Sequence, residues 1–228
     1  MLSQLRSRAT GFARDLLDET AARLGGIGRA VEIEHAVWDD GEFHLTAIAP
    51  TIANEVREGD YVYAGFFLDH NPAQATQAGV RIYRVACQNG MLADEAEGQQ
   101  IEFASAQPPP GWKYELSEVI AQSFEGGCLD EQTKRLRATV DEMLTSPFEF
   151  LIHLAAQGLI DDDEHSGIQR EFERAGDYTL YGLVNAVTAV AHGHRSASDW
   201  QRALGIERLG GEIAGGDHQP PIGSPVFG

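Results

Sequence analysis

The chain has 228 residues, a hydrophobic share of 43% and a formal net charge of −18. This composition is that of a globular protein with a core, and no apolar run reaches the roughly 18 to 20 residues that a membrane span needs. The first residues lack the continuous apolar stretch of a secretory signal. The two cysteines, Cys87 and Cys128, form no disulfide framework. The sequence therefore predicts a soluble, cytoplasmic protein with no membrane partner.

Near the N-terminus, apolar residues recur at the spacing of a helix. Five of them follow one another at intervals of three and four: Leu2, Leu5, Ala9, Phe12 and Leu16. This spacing places them on one face and predicts a single amphipathic helix over residues 1–26. Such a helix docks either on its own domain or on another subunit, so a homo-oligomer is also predicted.

Alternating apolar and polar residues predict strands over about 30–105. The most secure feature is a hairpin whose two strands flank the turn Asp39-Asp40-Gly41. We expect Pro50 to end its second strand, because proline has no N–H for a ladder hydrogen bond. Further strands are predicted at 61–68, 80–92 and 100–104.

Three consecutive prolines, Pro108 to Pro110, mark the clearest boundary in the chain. Helical periodicity dominates after them, over residues 112–209. The predicted fold is α+β: a mainly antiparallel sheet of four to five strands, then a helical half packed on it, in one domain over 27–209. The Gly- and Pro-rich segment 210–228 predicts a flexible tail.

No set of residues predicts an active site, a metal site or a bound cofactor. The acidic run 161–165 lacks the ligand spacing and glycine of a calcium loop, and favours a solvated helix start instead. His192 and His194, with His153 elsewhere, are two or three imidazoles without a placed further ligand. Glycine-rich phosphate loops and nucleophile elbows are absent from the sequence. Whether the protein is an enzyme stays open, and no catalytic residue is assigned.

Aromatic and cationic residues occur together on two of the predicted strands and just after the prolines. They are Tyr61, Tyr63, Arg81, Tyr83, Arg84 and Lys113. Bases stack on aromatic rings while cations hold phosphates, so this mixture suits single-stranded nucleic acid. The same residue types are also ordinary strand formers.

A polar stripe crosses the most apolar helical segment. Its members, spaced by four, three and four, are Tyr181, Asn185, Thr188 and His192. Buried polar groups must find partners. The stripe therefore either locks the helix to the sheet or lines a binding site.

Two segments together resemble a known family. The run from Val80 to Met91 contains Arg84, Cys87, Asn89 and Gly90. This run resembles the R-x-x-C-x-N-G centre of the phage/plasmid-like family catalogued as domain of unknown function 932. A second stretch, with Asn185 and Thr188, resembles that family's N-A-x-T helix.

The resemblance covers roughly residues 55–215 and implies origin in a phage, plasmid or integrated element. It implies no activity, because the function of the family is not established. Relatives carry an asparagine-serine-acid-threonine-glycine run where this chain reads Asp69-His70-Asn71-Pro72-Ala73. This chain therefore departs from the family pattern at that loop.

Two functional hypotheses follow. The first is a mobile-element accessory factor for DNA metabolism that binds or anneals single-stranded nucleic acid and assembles into oligomers. The second is an acidic protein-binding module, either an assembly component or a DNA-mimicking inhibitor, whose partner is a basic host or phage protein. The net charge of −18 favours the second, and the Tyr/Arg strands favour the first.

Overall fold

A computed structural model shows a sheet preceded by two helices and followed by six. It describes residues 1–28, 30–84, 89–92, 100–125, 127–194 and 199–220, with the backbone alone for 89–92. The predicted α+β class, with an N-terminal helical segment, an antiparallel sheet and a helical C-terminal half, is confirmed.

Every described strand pair is antiparallel. The strands are β1 (Glu32–Asp39), β2 (Glu42–Arg57), β3 (Asp60–His70), β4 (Ala75–Arg84), β5 (Asn89–Leu92) and β6 (Gln100–Ala104). β1 to β5 lie side by side in chain order, and β6 pairs with β4. β5 and β6 share one edge of β4, because they pair with different halves of it.

The predicted strand over 80–92 is two strands in the structure. β4 ends at Arg84, which pairs with Asn89 at the start of β5, and the two strands are antiparallel. Asn89 and Gly90 both lie in β5. Cys87 falls within 85–88, outside the described residues.

Pro50 does not end β2, contrary to the prediction. Ala49 pairs with Ala64, and the next pair joins Ala53 to Tyr63, so three residues of β2 are left out of the register. A bulge of this kind places the proline where no ladder hydrogen bond is required of it. Beyond Ile48, β2 has no pair with β1, and it continues to Arg57 along β3.

Helices cover the sheet on both faces. The helices are α1 (Leu2–Arg8), α2 (Gly11–Gly26), α3 (Trp112–Phe124), α4 (Gly127–Thr139), α5 (Pro147–Ala156), α6 (Asp162–Ala175), α7 (Leu180–Gly193) and α8 (Trp200–Gly215). One sheet face, with Leu45 and Phe66, belongs to the main core together with side chains of α2, α3 and α4. On the other face, Phe67 packs against Trp200 and Leu204 of α8.

The N-terminal segment is two helices rather than the predicted single one. Ala9 has extended backbone angles, and Gly11 has a φ of +54°, a conformation that favours glycine. Leu5 and Leu16 are nevertheless buried. The Phe12 ring contacts those of His70 and Trp112 at centroid distances of 5.7 and 5.1 Å. The segment therefore docks on its own domain.

The predicted start of a tail at residue 210 is wrong, because α8 continues to Gly215. Gly210 is buried against α7, where an added Cβ would lie 2.6 Å from Cγ2 of Thr188. This glycine permits close packing of two helices and does not mark a helix end. Residues 221–228 lie outside the described part of the chain.

Gly210→Ala should lower the free energy of unfolding by about 1–2 kcal/mol, because overpacking exceeds the gain in helix propensity. Gly205→Ala in the same helix meets nothing within 4 Å and should be neutral or stabilising. Urea denaturation measures both. Thr188→Ser removes the opposing methyl group and should relieve most of the Gly210→Ala effect; an unrelieved loss would contradict the packing explanation.

Candidate functional site

The structure does not bring the six predicted nucleic-acid-binding residues together on one surface. Arg81 and Tyr83 are 1% and 3% exposed, so they are not placed to contact nucleic acid, contrary to the prediction. The Tyr83 hydroxyl donates to Glu34 at 2.7 Å. Tyr61 is exposed and Tyr63 is half-buried. Lys113 lies on α3, 3.6 Å from Glu19 and 5.5 Å from the centroid of the Trp112 ring.

Arg84 meets Tyr181, a member of the polar stripe on α7. Arg84 donates Nε to Asp60 Oδ1 at 2.6 Å and Nη2 to Oδ2 at 2.5 Å. Tyr181 donates its hydroxyl to the same Oδ2 at 2.8 Å. The Arg57 and Arg84 guanidinium groups lie over the Tyr181 ring, 4.9 and 5.4 Å from its centroid. This Arg84 cluster fastens α7 to the ends of β3 and β4.

The Arg84 cluster shifts the pKa values of its members. Burial alone would raise the pKa of Asp60, but the hydrogen bonds from Arg84 and Tyr181 outweigh it and the pKa is lowered. Burial raises the pKa of Tyr181, and its hydrogen bond to Asp60 acts in the same direction. The cluster therefore holds an ionised carboxylate and a neutral phenol.

A small pocket of about 130 Å³ opens beside this cluster. It is lined in part by Arg57, Arg84, Arg174 and Asn185. Each of the three arginines has an acidic partner: Asp177 at 2.6 Å for Arg57, Asp60 for Arg84 and Glu171 at 2.5 Å for Arg174. A phosphate group would have to compete with these carboxylates, so the pocket offers no net positive charge to a nucleic-acid backbone.

The remaining family-like positions have structural roles where they are described. Thr188 is buried and donates its hydroxyl to Val184 O at 3.0 Å, within α7. Asn185 is half-buried in the wall of the pocket. For Asn89 and Gly90 the backbone pairing in β5 is described, and Cys87 lies outside the described residues.

The acidic run 161–165 starts α6, as predicted, but it is not wholly solvated. Asp161 accepts from the Glu164 backbone N–H at 2.8 Å, and Glu164 accepts from that of Asp161 at 2.7 Å, which makes a capping box. Glu164 is buried and accepts two hydrogen bonds from Arg202 of α8. Within the described ranges, no group of three His, Cys, Asp or Glu side chains is placed to hold a metal ion.

Sequence reasoning missed a buried polar network on the α8-covered face of the sheet. His44 bonds through Nδ1 to Asp69 and through Nε2 to Thr46 at 3.0 Å. Arg81 donates to Thr46 Oγ1 at 2.5 Å and to Glu207 Oε1 at 2.5 Å. The hydroxyl–imidazole–carboxylate order is that of a hydrolytic triad, but Thr46 is fully buried and already accepts from Arg81. The network therefore supports the fold and is not a catalytic triad.

An exposed apolar patch was also missed. We call it the α5 patch, and it consists of Met143, Phe148, Ile152 and Tyr178, all at least 36% exposed. Phe148 and Tyr178 both contact the buried ring of Phe172, at centroid distances of 6.3 and 5.4 Å. Ile152 lies one helical turn beyond Phe148. Met143 bridges to Thr179, the neighbour of Tyr178. Phe148, Ile152 and Tyr178 are therefore neighbours, and the backbone bridge brings Met143 near Tyr178.

The segment that supplies most of the α5 patch is acidic in sequence. Residues 138–169 contain seven acidic residues and no lysine or arginine. Glu149 is exposed on α5 between Phe148 and Ile152, and Asp141 is exposed just before Met143. The patch therefore combines apolar side chains with negative charge, which is the complement of a basic amphipathic surface.

Comparisons with protein-family models, curated proteins and solved structures found no match to this chain. The family resemblance of the two motifs accordingly stays a prediction. No helix in the described part of the chain is both long and apolar enough to cross a membrane.

Proposed function

We propose that this chain is an acidic protein-binding module that docks a basic, amphipathic segment of a partner protein on the α5 patch. The proposal rests on one observation: three of the four exposed apolar side chains of the patch, Met143, Phe148 and Ile152, lie within residues 138–169, which contain acids and no Lys or Arg. Exposed apolar clusters rimmed by polar residues are typical of interaction sites. Aromatic and methionine side chains are also enriched in such sites.

Charge decides which partner fits. A second copy of the chain would bring two surfaces of the same negative sign together, which repel each other. A basic segment gains both apolar burial and charge pairing, so its association is fast and depends on salt. The predicted homo-oligomer is not supported by the α5 patch and stays a prediction.

Peptide binding tests the proposal directly. The probe is a fluorescein-labelled 18-residue helix with leucines on one face and lysines on the other. Its counterpart has glutamates in place of the lysines. We expect fluorescence anisotropy to show binding of the lysine peptide, weakened steeply by salt, and no binding of the glutamate peptide.

Variants locate the binding surface. Phe148→Ser/Ile152→Ser should weaken binding of the lysine peptide at least tenfold, because it removes the apolar contacts and leaves every charge in place. Tyr114→Ser is the matched control, since Tyr114 is 69% exposed on α3 and lies outside the patch. Equal affinity of both variants and the original chain would show attraction by net charge alone and overturn the docking site.

Single-strand binding or annealing, the other function predicted from the sequence, remains a prediction, as does origin in a mobile element. A labelled single-stranded oligonucleotide in the same anisotropy experiment tests it. Salt-sensitive binding of the oligonucleotide would favour this function. The paired state of Arg57, Arg84 and Arg174 favours the opposite result.

A further inference from the structure

A second pocket lies where the β3–β4 hairpin meets the first half of α8, and we call it the Asp69 pocket. Its volume is about 210 Å³. That is below the range of roughly 300–1,000 Å³ for sites of drug-sized ligands, so it suits one small ring system. Its apolar wall comes from Trp200 and Leu204, and its amide groups come from Asn71, Gln74, Gln77 and Gln201.

Asp69 forms part of this wall while its side chain is only 5% exposed. Its Oδ1 bonds to His44 Nδ1, but its buried Oδ2 has no hydrogen-bond partner among the groups that the structure describes. Buried carboxylate oxygens almost always have a partner, because leaving one unpaired costs about 1–3 kcal/mol or more. A buried carboxyl oxygen without a partner beside a cavity indicates that a hydrogen-bonding group enters the cavity.

The surrounding charges limit what that group can be. The positive charges of Arg81 and Arg208 lower the pKa of Asp69, and the negative charge of Glu207 raises it. Burial raises the pKa of Asp69 well above its usual range. A cationic ligand would therefore enter next to two guanidinium groups, while an anion would meet two carboxyl groups. A neutral ligand with N–H donors avoids both penalties.

We propose that the Asp69 pocket binds a neutral, nucleobase-sized heterocycle that donates an N–H group to Asp69 and packs its ring against Trp200 and Leu204. Gln74 and Gln201, both exposed, lie where they can pair with its other polar edge. The proposal goes beyond peptide docking and does not depend on it, since the α5 patch shares no residue with this pocket.

Calorimetric titration with the four ribonucleosides and their free bases tests the proposal. We expect at least one base to bind at or below millimolar concentration, with the matching nucleoside monophosphate binding no more tightly. Absence of binding by all four bases would overturn the proposal, because Oδ2 then accepts from water alone. Binding of monophosphates without binding of bases would also overturn it, since the determinant would be the phosphate.

Two variants test whether the ligand binds in the Asp69 pocket. Asp69→Asn keeps the shape of the side chain and changes its hydrogen-bonding pattern. Gly205→Leu fills the mouth of the pocket from a position where an added Cβ meets nothing within 4 Å. Both should weaken binding at least tenfold, and Gly193→Leu, on α7 outside the pocket, should not. Thermal unfolding checks that each variant is folded, and unchanged affinity in Gly205→Leu would place the ligand elsewhere.

A competition experiment shows whether the base belongs to a free nucleoside or to a nucleic-acid strand. A free nucleoside that binds while single-stranded oligonucleotides do not would assign the pocket to a small metabolite. Oligonucleotide binding that is displaced by the same nucleoside would assign it to a base presented by a nucleic-acid strand. Peptide binding at the α5 patch is measured separately, so failure of either proposal leaves the other intact.

Discussion

Glu207→Leu should lower the free energy of unfolding by about 3–5 kcal/mol, the usual effect of removing one partner of a buried ion pair. Arg81 and Glu207 are each 1% exposed and joined at 2.5 Å, and they connect β4 to α8. The leucine leaves the Arg81 guanidinium buried without its carboxylate. Thermal and urea denaturation should both report the loss.

The double variant Arg81→Met/Glu207→Leu separates the burial of an unpaired charge from loss of packing. Apolar residues of similar volume often replace a buried ion pair at little cost. We therefore expect the double variant to regain most of the stability that Glu207→Leu loses. Additive losses in a double-mutant cycle would mean that the two side chains do not interact, contrary to the structure.

Unfolding free energy should fall by about 3 kcal/mol as the pH drops from about 6.5 to 4, through the titration of His70. Burial lowers the pKa of His70 to about 4 from an ordinary 6.5. Between pH 6.5 and 4 the unfolded chain binds a proton at His70 that the folded chain does not. The stability that neutral His70 contributes is therefore fully present above about pH 6.5 and is lost as the pH falls. The ring contacts Thr76 at 2.9 Å and the Phe12 and Phe43 rings.

Comparison with His70→Asn isolates this contribution. Asparagine does not titrate, so the variant should show a shallower dependence of stability on pH between 4 and 6.5. Asp69 has a raised pKa and acts with the opposite sign, but it is present in both proteins and cancels in the difference. Identical slopes for the two proteins would contradict the assignment to His70.

Local signals in the sequence were sufficient for the class of fold and for several boundaries. The turn Asp39-Asp40-Gly41 was predicted from residue type, and Asp40 and Gly41 indeed have φ values of +41° and +90°. The helix start at Asp161 was also predicted from its acidic first turn. Both features depend on groups only a few residues apart, so no knowledge of the tertiary structure was required.

Predictions failed where distant packing decides the outcome. Gly210 was interpreted as the start of a flexible tail, because its contact with Thr188 depends on how α8 lies against α7. Arg81 was interpreted as a surface cation, because its partner Glu207 is 126 residues away. A polar residue among apolar ones, such as Asp69 after Phe66-Phe67-Leu68, is the signal that could have located the buried network.

The α5 patch lay beyond sequence reasoning for a related reason. Phe148 and Ile152 lie in the same short helix as Phe150 and Leu151. The helical period does not decide which of the four side chains face the core. The structure buries Phe150 and Leu151 and exposes the other two. The lack of Lys and Arg over residues 138–169 can be seen from the sequence alone.

The bulge at Pro50 has a consequence for aggregation. Beyond the bulge, β2 pairs with β3 but not with β1. A strand edge without a neighbouring strand is a template for pairing with a foreign chain. Arg137 of α4 donates Nε at 3.0 Å and Nη2 at 2.5 Å to the Glu55 carbonyl in this stretch. A single guanidinium thereby occupies a backbone acceptor that an incoming strand would need, and we expect Arg137→Ala to make the chain more prone to aggregation.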